Sequence, residues 1–391
     1  MFRANSDSTP RRHESVNMRI ANHLSNIIGP RVSGTPKEKE AVEFLAGEFR
    51  KLQLDIRIQK FSYLGWIQKT PPSLDIHPPF RKTLKVSPMA YTGSTPKAGV
   101  EGLIRAYGTF YLFPGLLDVP KYVLTDKQGE TLASVLVLPG HEPRPIPNPW
   151  HQIFQEPMIL ICEEDFRPVR EAVDAGKDVM ARLVSTAEYV QSFTSYNVVA
   201  TIPGESPETI VVGGHHDSIE GSPGAVDNAA GVEAIFRLAD RLVSGKRRYT
   251  IRLITWGGHE WGLFGSQYFV KDAKERGVLD RIRACLTLDV LGCGDYLWIW
   301  AGPESFRKRL ELIVQQGRFS QKREVRFEDT LVGSDDWSFA LENIPNAMLM
   351  DWPMETLHLP ADKYETIDER KVDFGAETAL AFLNHFEREG F

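Results

Sequence analysis

The spacing of apolar positions changes along the chain. From Asn17, the positions Met18, Ile20, Ala21, Leu24, Ile27 and Ile28 fall on one helical face, and Gly29-Pro30 ends it. After the turn Ser33-Gly34-Thr35-Pro36, a second stripe of Ala41, Val42, Phe44, Leu45, Phe49 and Leu52 predicts another helix. Thr35 serves as its N-cap and Pro36 takes the first helical position, where a missing N–H costs nothing. Leu54, Ile56, Ile58 and Phe61 then alternate with the period of a strand. From about Thr92 to Ser195 the pattern breaks into short β-like runs (103–106, 134–138 and 157–162) among many prolines, with helical periodicity only around Asp165 to Ala175. Beyond Asn197, apolar strands at 198–202, 210–212, 251–256, 284–290, 297–300 and 347–350 alternate with amphipathic helices at 228–243, 265–276, 305–316 and 371–388.

Strand and helix in alternation predict an α/β fold with a mainly parallel, mixed central sheet covered by helices on both faces. The change of character in the middle predicts an inserted β-rich domain. Residues 13–91 and 195–391 then form one discontinuous domain and 92–194 the insert. There is no internal repeat and no low-complexity tract.

Composition narrows the partners more than the fold. With 391 residues, 42% hydrophobic and 25% charged, the chain has apolar surface for a sizeable core, which excludes a small disulfide scaffold and wholesale disorder. A formal charge of −6 without a basic stripe argues against nucleic acid as a partner. Cys162, Cys285 and Cys293 are too scattered for a disulfide framework, and the first and second read as buried thiols. Met1 to Glu14 is polar, and no apolar run approaches the roughly 18 residues of a membrane span. A cytoplasmic chain that engages no membrane is the expectation; the oligomeric state is not legible.

The chemistry gathers just past the predicted strands, where open α/β sheets carry their functional groups. Ile210 to Val212 runs into Gly213-Gly214-His215-His216-Asp217, and Gly224-Ala225-Val226-Asp227-Asn228 leads to a helix start. Ile251 to Trp256 runs into Gly257-Gly258-His259-Glu260, Ala284 to Leu288 into Asp289, and the strand around Met350 is followed by His358. Taken singly, Asp227 reads equally as an N-cap, Asp289 as a turn residue and His358 as a surface histidine. Together, two imidazoles and three carboxylates without a thiolate are the ligand set of a divalent metal, best zinc. Five protein ligands overfill one catalytic zinc and suit two metals sharing a bridging carboxylate.

These segments resemble the dinuclear-zinc metallopeptidases, the family of leucyl-type aminopeptidases, glutamate carboxypeptidases, glutaminyl cyclases and the transferrin-receptor ectodomain. Arg31-Val32-Ser33-Gly34-Thr35-Pro36 resembles the family's opening segment, and Tyr196 to Gly204 its re-entry into the catalytic domain after a protease-associated insert. His215-His216-Asp217-Ser218 is similar to His-x-Asp-Ser, 224–231 to Gly-Ala-x-Asp-Asn-x-x-Gly, and 260–266 to Glu-x-Gly-Leu-x-Gly-Ser. Leu288-Asp289 and His358-Leu359-Pro360-Ala361-Asp362 match the remaining two motifs. The resemblance implies a zinc-exopeptidase fold, with one metal on His215 and Asp289, the other on Glu260 and His358, and Asp227 bridging. Cobalt or manganese are alternatives to zinc. Asp217 then orients His215, fixing its tautomer. His216 has no matched role.

Two departures stand out. Family members that hydrolyse peptides carry two adjacent glutamates, the first acting as base, whereas here the pair is His259-Glu260. His259 therefore takes the catalytic base position, where two cations would depress its pKa and keep it neutral. Leu357 stands where some members carry a tyrosine that supports the oxyanion. Trp261, Phe264, Trp337, Trp352 and Met354 read either as the lining of an apolar pocket or as plain core, and Ser334-Asp335-Asp336 either as carboxylates bonding around the site or as an ordinary polar loop. The function implied is that of a metallo-aminopeptidase, a hydrolase acting on peptides with a free N-terminus. The alternatives are a weakened or inactive metal-binding homologue that acts in partner binding, and a glutaminyl-cyclase-like enzyme.

Overall fold

The computed structural model describes residues 18–113, 117–140, 142–144, 146 and 153–391. The start of the first stripe at Asn17 and the boundary at 13 lie outside them. Helix α1 (Arg19–Asn22) passes into a wider turn (His23–Ile28), and α2 (Pro36–Lys51) begins where its cap predicts, the Thr35 side chain accepting the Glu38 N–H. Then follow β1 (Asp55–Ile76), the short β2 (Lys82–Leu84) and β3 (Ser87–Pro88), β4 (Val100–Phe113), β5 (Leu117–Thr125), β6 (Thr131–Leu138), β7 (Met158–Cys162), α3 (Glu163–Asp174) and β8 (Met180–Ile202). The third part runs β9 (Ser206–His215), α4 (Ala230–Leu242), β10 (Tyr249–Trp256), α5 (Phe264–Glu275), β11 (Ile282–Leu288), β12 (Tyr296–Gly302), α6 (Glu304–Gln316), β13 (Val325–Asp329), α7 (Trp337–Ala340), β14 (Asn346–Trp352) and α8 (Glu369–Glu389).

The strands hydrogen-bond in the order β13-β12-β14-β11-β9-β10-β8 and continue from β8 through β4, β5, β6 and β7. Strands β14, β11, β9 and β10 are parallel, while β12 and β8 flank them antiparallel, which makes the sheet mixed as expected. Alternation along the strands feeds two cores. Val212, Leu253 and Leu286 pack with α2, α4, α6 and α8, and Val211, Ile254 and Cys285 with α5 and α7. Each fully buried side chain of this kind contributes about 1.5–3 kcal/mol. A further apolar cluster joins β4–β7 to α3 and takes in Leu74, Ile76, Leu84 and Val86 from before residue 92.

Strand β1 is far longer than the alternation at 54–61 suggests. It pairs antiparallel with β8 through register shifts near Gly65, Thr70 and Ser73, so its later residues lose the clean period of two. Strand β13 escaped the sequence reading because its five residues are half-buried or exposed at the sheet edge. No helix among the described residues is long and apolar enough to cross a membrane.

Candidate active site

The functional groups arrive from loops at the carboxyl ends of the parallel strands. His215 ends β9, Glu260 follows β10, Asp289 follows β11, Asp227 precedes α4 and His358 follows β14. The structure brings all five together. His215 Nε2 lies 3.0 Å from Asp227 Oδ1 and 3.3 Å from Asp289 Oδ1. His358 Nε2 lies 3.3 Å from both Asp227 Oδ2 and Glu260 Oε2. The two oxygens of Asp227 thus face two different histidine–carboxylate pairs.

Asp217 stands behind them. His215 Nδ1 is 3.1 Å from the Asp217 carbonyl and 3.6 Å from its carboxylate, which directs Nε2 toward the cluster. The Asp217 carboxylate also accepts the backbone N–H groups of His259 (3.3 Å) and Glu260 (3.2 Å), a brace on the neighbouring loop that spacing did not reveal.

His259 stacks on His215 with ring centroids 3.7 Å apart. Its Nδ1 is 3.0 Å from Asp335 Oδ2, and its Nε2 is 3.9 Å from Asp289 Oδ2. Of the polar triplet, Ser334 donates to Asp289 Oδ2 (2.5 Å) and Asp335 accepts from His259, while neither oxygen of the buried Asp336 has a hydrogen-bond partner. His216 points elsewhere, its Nδ1 3.2 Å from Thr255 Oγ1.

Other residues position the donors. The guanidinium of Arg31 is fully buried and donates to the carbonyls of His216, Pro223 (2.6 Å) and Gly224 (2.7 Å), tying the 215–217 loop to the 224–228 loop. Asp362 accepts the N–H groups of Val226 (2.8 Å) and Asp227 (3.1 Å). Asn228 donates to the Leu288 carbonyl and accepts from Gly231 and Val290, strapping the Asp227 loop to the end of β11. Arg31, Asn228 and Asp362 all lie in recognised motifs, but their partners are remote in sequence.

Electrostatics match a cage for positive charge. Burial opposes charge on His215, but the Asp289 carboxylate and hydrogen bonds to Asp217, Asp227 and Asp289 outweigh it and raise its pKa well above the usual imidazole value. His358 is likewise pushed up to about 10 against burial, by the Glu260 charge and by hydrogen bonds to Asp227 and Glu260. Asp227 is held far below the carboxylate range, its burial outweighed by His215 and His358, and Asp289 is lowered mainly by His215. For His259, burial and the His215 charge both lower the pKa, yet Asp335 and Asp289 carry it up to about 9. That direction belongs to a site where protons balance the carboxylates; cations on the same atoms displace protons.

The residues present fit a metal. Glu260 Oε2 and Asp289 Oδ1 are buried, and each has only a histidine Nε2 at 3.3 Å beside it, without the geometry of a good hydrogen bond. The donor atoms of His215, Asp227 and Glu260 lie within 4.8 Å of one another, as do those of His215, His259 and Asp289. Imidazole and carboxylate donors without thiolate suit a borderline divalent cation.

A cavity of about 470 Å³ opens beside the cluster, with Asp227, His259, Asp289 and His358 in its wall. Its apolar side is one face of two paired strands, where Trp298 lies opposite Met350, Trp300 opposite Met348 and Tyr296 opposite Trp352. Trp352, Met354 and Leu357 line the cavity. Trp261 and Phe264 instead pack against a separate cluster of Trp66, Ala90 and Tyr91, and Trp337 is not in the wall.

Residues 197–383 match the model of peptidase family M28. Aminopeptidase YwaD of Bacillus subtilis is 23% identical over 393 residues, covering 92% of this chain and 81% of the relative. Probable leucine aminopeptidase 2 of Trichophyton verrucosum is 30% identical over 248 residues, 60% of this chain and 47% of that protein, so the chain spans about half the length of that fungal relative. The solved structure of BSAP, a zinc aminopeptidase from Bacillus subtilis, superposes with a TM-score of 0.71 at 19% identity, over 95% of this chain and 94% of the other, a likeness of fold. All five donor residues fall inside the segment that matches the model of peptidase family M28.

Proposed function

We propose that the chain is a zinc-dependent aminopeptidase that removes N-terminal residues from peptides with a free amino group. The observation that carries this is the position of Asp227, one oxygen 3.0 Å from His215 Nε2 and the other 3.3 Å from His358 Nε2. His215 with Asp289 would hold one ion and Glu260 with His358 a second, with the Asp227 carboxylate facing both pairs. Bound zinc supplies Lewis acidity, polarising a carbonyl and acidifying a water. The names of the relatives, aminopeptidases in sequence and a zinc aminopeptidase in fold, support the same reading.

The protein's own side chains do the rest. His259 Nδ1–H donates to Asp335, which leaves Nε2 bare when the ring is neutral. Nε2 accepts a proton from the attacking water and returns it to the leaving amine. The cluster's carboxylates favour a substrate ammonium over a C-terminal anion. The same proposal assigns the β-rich portion as a protease-associated-like insert, with edges near Leu74 and Leu183, where its apolar cluster begins and ends, rather than at 92 and 194.

Elemental analysis together with hydrolysis of free-amine and N-acetylated dipeptides, with zinc or cobalt added, tests this. The expected result is two metals per chain and turnover confined to free amines; equal turnover of both excludes an aminopeptidase. A count near one per chain favours cyclisation of N-terminal glutamine instead. A second reading of His259 comes from its place in the trio with His215 and Asp289, whose donor atoms lie within 4.8 Å of one another. There it is a ligand rather than a base, and His259→Ala loses metal instead of keeping the full count.

A further inference from the structure

The cavity beside the donor cluster has walls of two origins. The α/β portion gives Trp298, Trp300, Met348 and Met350, and the β-rich portion gives Leu117, Leu138, Ile146 and Arg144. Arg144 is the one arginine or lysine among the lining residues. Among the described residues its guanidinium has no counter-charge, and burial alone lowers its pKa. Withdrawing a guanidinium from water without a partner is unfavourable unless an anion arrives with a ligand.

The segment carrying Arg144 is held on both sides. Ser87 Oγ donates to the Pro143 carbonyl at 3.2 Å, and Lys85 pairs with Glu142. Ile146 forms a β-bridge with Met89 and packs in a buried apolar cluster. Arg144 therefore projects from fixed backbone at the cavity wall. Glu355 also lines the cavity but is exposed.

Resting on the aminopeptidase reading, we infer that Arg144 receives a substrate carboxylate beyond the scissile bond. Preferred substrates are then short peptides with a large apolar first side chain, held against the tryptophan–methionine wall, and an anionic group immediately after it. A planar guanidinium pairs with a carboxylate through two parallel hydrogen bonds, which gives orientation as well as attraction. The carboxylate is either the free C-terminus of a dipeptide or the side chain of an acidic second residue, and amidated peptides separate the two.

The test uses the full chain loaded with zinc and compares Leu-Gly, Leu-Gly amide and Leu-Asp amide. The expected KM for Leu-Gly is about tenfold below that for Leu-Gly amide, the effect of one charge-assisted pair. A Leu-Asp amide value near that of Leu-Gly shows that an acidic side chain also serves; a value near that of Leu-Gly amide assigns the site to the free C-terminus. Arg144→Ala raises the KM for Leu-Gly to that of the amide and leaves the amide unchanged, and Arg144→Lys restores part of the difference. Equal KM values for Leu-Gly and both amides on the native chain overturn the inference, whether or not the variants fold. If no free-amine peptide is turned over, the aminopeptidase reading has failed. Quenching of tryptophan fluorescence by Leu-Gly but not by its amide then still decides for Arg144, and equal quenching decides against it.

Discussion

The two sides of the cavity are built differently. The donor side consists of charged groups that are almost fully buried, set on loops that Arg31, Asp217, Asn228 and Asp362 brace with hydrogen bonds. The apolar side is one face of β12 and β14, with side chains from the β-rich portion opposite. Buried charges tolerate little change because a lone survivor is left unpaired, whereas apolar walls lose affinity in proportion to the contact removed. For the proposed reaction, the contrast predicts that substitutions on the donor side act on whether the reaction happens, and those on the apolar side on which substrate is taken.

Asp227→Asn gives the sharpest break. One substitution removes the charge that both His215 and His358 face, and we expect kcat/KM to fall about a thousandfold, roughly 4 kcal/mol, with metal content reduced. Steady-state kinetics beside elemental analysis check it. A variant that keeps most of its activity shows that the donor side is not organised around Asp227.

Asp335→Asn acts through His259 rather than on the metal. The amide can present its N–H to Nδ1, favouring the wrong tautomer, with Nε2 protonated. The expected loss in kcat is about 10- to 100-fold, with metal content and KM little changed. A loss of metal instead supports His259 as a ligand.

Removing metal exposes the proton balance of the donor side. His259 and His358 rise from an unfolded value of 6.5 to about 9 and about 10 in the folded chain. Groups whose folded pKa is raised add stability that is full below pH 6.5 and lost as pH climbs through the folded values. Asp217, Asp227 and Asp289 are lowered from 3.8, so their contribution holds above that pH and is lost on the acid side. The metal-free melting temperature should therefore fall between about pH 6.5 and 10. Added zinc should flatten that alkaline fall, because it binds the deprotonated donors. An apo profile that is flat or rises with pH contradicts these assignments.

What was readable in the sequence divides along the same line. That His215, Asp227, Glu260, Asp289 and His358 come together was legible because each is an imidazole or carboxylate that follows a recognisable strand or precedes a helix. The apolar side showed only a period of two: Trp298 and Trp300 alternate with Leu297 and Ile299, and both sets are apolar, so nothing in the pattern says which face meets a cavity and which meets α-helices. Trp352 and Met354 line the cavity as one of the two readings proposed, while Trp261 and Phe264 belong to packing beneath Tyr91. Arg144 lies in a proline-rich stretch with no periodicity, and only the closure of the β-rich portion brings it to the cavity. The fold of 198–352 was legible nearly throughout, whereas the length of β1 was hidden by register shifts.

Trp298→Ala tests the apolar side. It widens the wall opposite Met350, and the KM for leucyl and phenylalanyl substrates should rise about tenfold with kcat nearly unchanged, within the range for loss of hydrophobic contact in a pocket. Alanyl substrates should be affected less. An equal loss for all side chains places Trp298 in the support of the fold rather than at the substrate.

Leu117→Ala asks whether the β-rich portion touches the substrate at all. Leu117 is half-buried at the start of β5, so truncation removes only part of a side chain's contact with the cavity and leaves the interior of the cluster around Leu136 and Met158 in place. The expected change is a rise of about threefold in KM for substrates with large apolar first residues, below 1 kcal/mol. The melting temperature should stay within a few degrees of the native chain. A KM that moves while stability does not means that two regions far apart in sequence jointly select the substrate. If neither moves, the apolar side belongs to β12 and β14 alone, and the contribution of the β-rich portion narrows to the charge on Arg144.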